Sequence, residues 1–436
     1  MALTAPDGPA PAEPAPAEPA PDERLPATGF REALRSGVGP RLATTLLVLA
    51  LLDEVDRASL FVLGPDIQRT LHLSDAKLGG VVSASALLLT ILGLPIGVLA
   101  DRRRRVTVAG VCAIVAGCCT ALTGAARGYG QILVVRLATG AGQASVLPVH
   151  NGLLADGYPP ASRPRVMALH NTAAPTAKIV APAAAGGIAA LAGGSAGWRW
   201  PFLVTGALLV LAGSRALRLA EPRREHALTA ARDAVLQTVR ELLRIPGLRP
   251  LLLSIGVLGF SIVGTPTFVN LLFKDHYGLG AFRRGLLDGI AQVGSLCGVA
   301  IGSQLAARLP LRGRVRALAI VLPAYGVVLL GALSLQPLGL LVAGLALANV
   351  LGSAAVVPYY TSVAALVPDP ARSTGFALMG VSVAVVGGVF GTVLLGAISD
   401  AAGPRVALAS VIPVAGIGAG ALAALAAARL HRDSSP

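Results

Sequence analysis

Between residues 46 and 68 the chain reads LLVLALLDEVDRASLFVLGPDIQ, an apolar run long enough to cross a bilayer, with Asp53, Glu54, Asp56 and Arg57 at its centre. A charge at bilayer mid-depth costs about 2.5–3.5 kcal/mol even on a lenient insertion scale, so four within five residues need a reason. On a helix Asp53 and Arg57 are one turn apart and share a face, so that pair can neutralise internally. Two acids then remain, more than a structural ion pair between helices requires. The segment reads as the lining of a polar cavity or ion path; a purely structural pair is the competing reading.

The rest of the chain fits the same setting. Of 436 residues, 54% are hydrophobic and 13% charged, mean hydropathy is +0.71, and there are 52 glycines, as suits closely packed membrane helices. Apolar segments fall at about 42–64, 78–100, 106–126, 130–155, 166–193 and 200–219, then at 250–273, 285–307, 316–335, 338–366, 375–398 and 406–428. A membrane helix needs about 20 such residues. The expectation is an all-α membrane protein with twelve transmembrane helices in two six-helix pseudo-repeats. Its divisions are a disordered cytoplasmic tail (1–40, led by a Pro/Ala/Glu repeat), an N-terminal bundle (41–220), a linker (221–249), a C-terminal bundle (250–430) and a short tail (431–436). Within the linker, Leu228, Val235, Val239 and Leu242 fall on one stripe opposite arginines, as in a helix lying at the inner membrane surface.

The formal charge of +14 follows from orientation and does not require a nucleic-acid partner. With the N-terminus inside, 25 of the 36 basic residues fall on the cytoplasmic side, eight on the other and three (Arg57, Arg136 and Lys178) within spans. Both termini are therefore expected in the cytoplasm of a multi-pass protein of the cell (inner or plasma) membrane. The four cysteines all lie in apolar runs, so no disulfide is expected.

The two halves repeat at an offset of 209 residues. YPPASRPRVMAL (158–169) aligns with VPDPARSTGFAL (367–378), and the same offset pairs Arg103 and Arg105 with Arg312 and Arg314, and Gly93 with Gly302. Parallel six-helix repeats are a secondary-transporter architecture with a midplane substrate site between them. Polar residues at depth concentrate accordingly: Arg136, Gln143 and His150 in the fourth span, His170, Asn171 and Lys178 in the fifth, Asn270 in the seventh, Asp288 in the eighth, Asn349 and Tyr359 in the tenth. The third, sixth, ninth and twelfth carry almost none and are expected to face lipid. At 1.5 Å per residue, Asp56, Gln143 and Lys178 reach similar depths, about 18–21 Å from the inner loops, which makes them candidate neighbours.

GVLADRRRRV (97–106) resembles the loop signature of the major facilitator superfamily through Gly97, Leu99, Ala100, Asp101, Arg102 and Arg105. RLATGAGQAS (136–145) resembles its fourth-span motif through Arg136, Gly140 and Gly142. Asp56-Arg57 followed by Asp66-Ile67-Gln68 resembles the Spinster-like branch, whose members move lysolipids and phosphorylated sphingoid bases; where that branch has a carboxylate, this chain has Gln143. The resemblance implies the major facilitator fold and a conformational latch at Gly97, Asp101, Arg102 and Arg105. In physical terms, an acid at a helix end can pair with arginines or cap a neighbouring helix.

None of the three lysines follows a glycine, so no phosphate-binding loop is present, and no HExxH, GxSxG or paired-cysteine pattern occurs. Neither an enzyme nor a cofactor is expected, and a proton gradient is the expected drive. The function expected is a secondary active transporter, an antiporter exporting an amphiphilic or drug-like metabolite or lysolipid, with Asp56, Glu54 and Asp53 as proton-coupling acids. Substrate contacts are assigned to Arg57, Arg136, Gln143, His150, Asn171, Lys178, Asn270, Asp288, Asn349 and Tyr359. Proton-linked uptake of a small organic solute is the alternative, and a channel or receptor is the reading from another class. The partners expected are a small-molecule or lipid-like substrate and membrane lipids, with the protein a monomer.

Overall fold

Apolar segments in a bilayer must satisfy their backbone groups internally, and the chain answers with helices alone. The computed structural model describes residues 30–159, 162–222, 232–368 and 371–432, and among these every regular element is helical. Twelve long rods follow in order. The N-terminal half holds α1 (Pro40–Leu71), α2 (Asp75–Arg102), α3 (Arg105–Ala125), α4 (Tyr129–Gly157), α5 (Arg165–Ala192) and α6 (Arg199–Ala216). The C-terminal half holds α7 (Leu248–Asp275), α8 (Ala281–Arg308), α9 (Leu311–Ser334), α10 (Leu338–Leu366), α11 (Thr374–Ala402) and α12 (Pro404–Leu430).

Ten of these are long and apolar enough to cross a membrane. The other two fall short for visible reasons: α1 carries its four central charges, and α6 is 18 residues long with arginines at both ends. The repeat survives in three dimensions. The bounds of α10 lie 209 residues after those of α4, and helices resume at Arg163 and Arg372 with the same separation.

Each half has its own core, around Leu46, Leu49, Leu153 and Leu154 in the first and Leu251, Leu318, Leu322 and Val363 in the second. Within halves, α3 packs on α6 and α9 on α12. On α3 the glycines recur every seven residues (Gly110, Gly117, Gly124), and a Cβ on Gly117 would stand 2.7 Å from the Val210 nitrogen, so only a bare backbone admits α6 this closely. The outer faces of these pairs expose Val111, Leu122, Ile320, Val327 and Val414, an apolar surface suited to lipid.

Two expectations change here. The segment before α1 is not irregular up to residue 40: Phe30–Arg35 is helical and Ala33 is buried, while residues 1–29 lie outside the described ones. In the linker, Arg232–Leu242 is helical, and Leu242 is buried in the core of the C-terminal half, so this end of the helix docks on protein; Leu228 and the Val235 side chain lie outside the described residues.

Candidate functional site

The halves meet along two seams. Gly186, Gly285 and Gly289 bring α5 and α8 together, each glycine lying against a backbone carbonyl of the facing helix (Ala281, Pro182 and Ile179). Between α2 and α11, Gly79 lies against Thr392 and Gly396 against Ala76. Polar contacts reinforce the end away from the termini. The buried Arg284 guanidinium of α8 donates to Asp66 and to the Val62 carbonyl of α1, at 3.2 Å for the latter. Lys274 Nζ donates to the Pro65 carbonyl at 3.0 Å. Asp75 of α2 accepts from Ser399 Oγ, and the Asp400 carboxylate accepts the Asp75 and Ala76 backbone N–H groups at 2.6 and 3.1 Å. That last contact uses the free N–H groups and positive dipole end of α2, so a helix end of one half is capped by an acid of the other.

At mid-depth the charges sort into pairs. Asp56 is 16 residues from Pro40 and 15 from Leu71, and is fully buried. Arg136 of α4 grips it with both terminal nitrogens, at 2.9 and 3.0 Å, and Gln143 Nε2 adds a hydrogen bond at 3.2 Å. Arg136 and Gln143 are seven apart, two helical turns, so they reach α1 from one face. A guanidinium fork matched to a carboxylate is the strongest ion-pair geometry available, and its burial demands that fit. Asp53 is buried beside the cluster, with Oδ1 lacking a hydrogen-bond partner.

The expected Asp53–Arg57 pair does not form. Arg57 donates to Glu54 at 3.0 Å, and that pair is partly exposed. The reason is azimuthal: Leu51, Val55 and Ala58 pack on Ala177 and Ala181 of α5, which leaves Glu54 and Arg57 together on the adjoining face.

Lys178 is the second correction. Depth made it a neighbour of Asp56, yet Asp56 is enclosed by Arg136 and Gln143, while Lys178 is exposed, as is Asn171 on the same stripe of α5. At about 100° per residue Lys178 stands about 160° from Val180 and about 140° from Leu191. Those two are 58% and 90% exposed and form the lipid face. Lys178 therefore faces the interior between the halves, between the α5 stripes that meet α1 and α8.

The remaining candidates separate. His150 and His170 are buried and meet, Nδ1 to Nε2, at 3.2 Å, joining α4 to α5 rather than lining a cavity. His150 sits in a π-helical turn, Val146–His150, directly after the Gln143 segment. Asp288 and Asn270 are buried inside the C-terminal half, where Asn270 donates to the Pro266 carbonyl at 2.9 Å, and Asn349 donates to the Ala291 carbonyl at 3.0 Å. Tyr359, expected in the cavity, is fully buried, and its hydroxyl lies 2.6 Å from Ser254 Oγ, which donates to the Ala419 carbonyl; its neighbour Tyr360 is the exposed ring.

At the expected latch, Gly97 faces Pro148 and Arg102 is exposed, while the Asp101 side chain lies outside the described residues. Arg105 pairs with Asp156 of α4, and the Glu221 carboxylate accepts the Arg105 and Val106 N–H groups at 2.7 and 3.0 Å, capping α3. Asp156 and Glu221 belong to none of the sequence motifs, and neither does Arg284, although its position at the start of a span, like that of Asp66 near the end of another, is a usable signal.

Comparison with known proteins agrees with this architecture. The bacterial homologue of the human lysosomal transporter Spinster, in an inward-facing and unoccupied conformation, superposes with a TM-score of 0.72 at 21% identity, over 89% of this chain and 95% of that one. The nucleoside transporter NupG gives 0.68 at 16% identity, over 91% and 100%, and a D-xylose–proton symporter gives 0.63 at 18%, over 89% and 96%. Identities this low establish the fold alone. In sequence, 200 residues are 28% identical to the "Probable L-galactonate transporter" of Escherichia coli (strain K12), covering 45% of this chain and 43% of that protein's length. The family model of the Major Facilitator Superfamily matches residues 46–380, and the chain belongs to that superfamily, as a multi-pass membrane transporter and not an enzyme.

Proposed function

We propose that the protein is a proton-coupled alternating-access carrier whose halves rock about the α1–α4 cluster, with both termini in the cytoplasm of the cell membrane. The observation that carries this reading is the asymmetry of the cross-half contacts. Arg284–Asp66, Lys274–Pro65, Ser399–Asp75 and the Asp400 cap gather at the end away from the termini, while polar mid-depth groups stay exposed on the other side. With basic loops inside, this is an inward-open state. Asp56 is held by Arg136 and Gln143, so the proton-exchanging role moves to Asp53, which is buried beside them with a free oxygen. The polar stripes set in apolar walls suit an amphiphilic or drug-like solute or lysolipid, exported against proton entry.

Proton-linked uptake of a small organic solute is the second reading, and the sequence match to a galactonate transporter favours it. The test is transport by the purified protein in liposomes. Solute-loaded vesicles should show saturable counterflow, and Asp53→Asn should keep counterflow while losing accumulation driven by a pH gradient. Undiminished pH-driven accumulation in Asp53→Asn would defeat the coupling assignment. The sign of the pH gradient that drives accumulation separates export from uptake.

A further inference from the structure

Among the described mid-depth charges on α1, α4, α5 and α8, Lys178 alone is both exposed and outside an ion pair. On α1, Glu54 is paired with Arg57, and Asp56 with Arg136 of α4. On α8, Asp288 is buried. Asp53 is enclosed beside the α1–α4 cluster. Lys178 on α5 is exposed and has no ion-pair partner among the described residues.

Its position excludes the ordinary explanation for a membrane lysine. A lysine near a helix end reaches the headgroups with its stem, but Lys178 is 13 residues from Arg165 and 14 from Ala192, about 20 Å from either end. It stands on the face opposite Val180, so the acyl chains are not its surroundings either. An exposed cation at that depth outside any ion pair is tolerated only in a wet space, and it lowers the cost of bringing an anion there.

Its place along the seam adds a second argument. Gly289 abuts the Ile179 carbonyl, so Lys178 and Asp288, the chain neighbours of that contact, flank the point where α5 and α8 part. From there Pro182 and Ala185, on the same face as Lys178, are buried towards the closed end, whereas Asn171, on the open side, is exposed. Lys178 thus marks the floor of the open space.

We infer that Lys178 is the recognition point for a single anionic group on the solute, a carboxylate or phosphate monoester, bound at the floor of the cavity against the α5–α8 seam. The inference rests on the carrier reading and sharpens it. The solute is an anionic amphiphile or organic acid, and its charged end occupies the line along which the halves separate.

Two measurements test it without knowledge of the natural solute. In protein with Cys112, Cys118, Cys119 and Cys297 replaced by alanine, Asn171→Cys places a thiol two turns from Lys178 on the same stripe. The rate ratio for the anionic sulfonatoethyl over the cationic trimethylammonioethyl methanethiosulfonate should fall about fourfold or more in Lys178→Met, from one unit charge at about 10 Å. Lys178→Arg should retain it. An equal ratio with and without Lys178 overturns the anion assignment alone, whereas a thiol inert to both reagents closes the cavity and defeats the carrier reading itself. In the second arm, apparent Tm is followed with hexanoate, hexyl phosphate, hexylamine and hexanol. Stabilisation confined to the two anions and lost in Lys178→Met supports the inference, and the stronger of the two distinguishes carboxylate from phosphate. Stabilisation by hexylamine, or by the anions undiminished in Lys178→Met, overturns it.

Discussion

The two halves share a backbone plan but differ where the chemistry lies. At the 209-residue offset, Asp56, Arg136 and Gln143 correspond to Thr265, Leu345 and Gly352, and Asp53 to Ile262. The C-terminal half builds the same pair of rods, α7 and α10, with no ion pair at those positions, and Leu345 packs in an apolar cluster with Phe268 and Leu272. The fold therefore does not require a buried Arg–Asp fork. Replacing such a pair by well-packed apolar groups is often neutral or stabilising, so its presence in one half points to work other than holding helices together.

The largest effect expected is the one that breaks this contrast directly. Asp56→Ala strands the Arg136 guanidinium, buried and without a countercharge, and should cost about 3–5 kcal/mol of stability. Grafting the other half's residues, Asp56→Thr with Arg136→Leu, should restore most of that loss while leaving counterflow absent. Unfolding in detergent and counterflow in liposomes read the two properties separately. A double variant that still transports would reduce the cluster to a structural feature.

Much of this contrast was visible in the sequence, for a reason specific to membranes. A bilayer admits only helices and closed barrels, so long apolar runs declare the rods, and one constant offset declares the repeat. Depth was also legible, since it is a count of residues. Azimuth was not. Asp56, Gln143 and Lys178 are level with one another, yet Asp56 points at α4 while Lys178 turns to the open space. Which face of α1 meets α5 was decided by Leu51, Val55 and Ala58, small or apolar residues with nothing to distinguish them in a uniformly apolar stretch. The same blindness exchanged Tyr359 for Tyr360: α10 is apolar all round, so its sequence carries no stripe to say which of two adjacent rings is inside. The cross-half contacts were hidden for another reason, because Asp66 and Arg284 are 218 residues apart and on different halves.

The seam offers a sharper version of the comparison, between the closed end and the open one. Arg284→Ala removes the donor to Asp66 and to the Val62 and Leu279 carbonyls. A hydrogen bond to a charged group contributes about 1.5–3 kcal/mol, enough to shift the balance between conformers tenfold to a hundredfold. Spin labels on the exposed loop residues Ser195 and Gln336 should then report a widened far end. A distance distribution identical to that of the unmodified chain would mean that glycine packing alone keeps the seam shut.

The smallest effect is expected from the C-terminal half's own polar link. Ser254 and Tyr359 form a buried chain of hydrogen bonds ending on the Ala419 carbonyl, which fastens α7, α10 and α12 to one another. Tyr359→Phe deletes one hydroxyl, and Ser254 keeps its bond to Ala419, so no buried donor is orphaned. The loss should be about 0.5–1.5 kcal/mol, seen as a modest fall in melting temperature. Because all three helices belong to one half and move as one body when the halves rock, counterflow rates should be unchanged. A Tyr359→Phe protein that melts normally but transports slowly would place Tyr359 in the transport cycle after all, and the rigid-half picture would have to give way to a C-terminal half that rearranges internally.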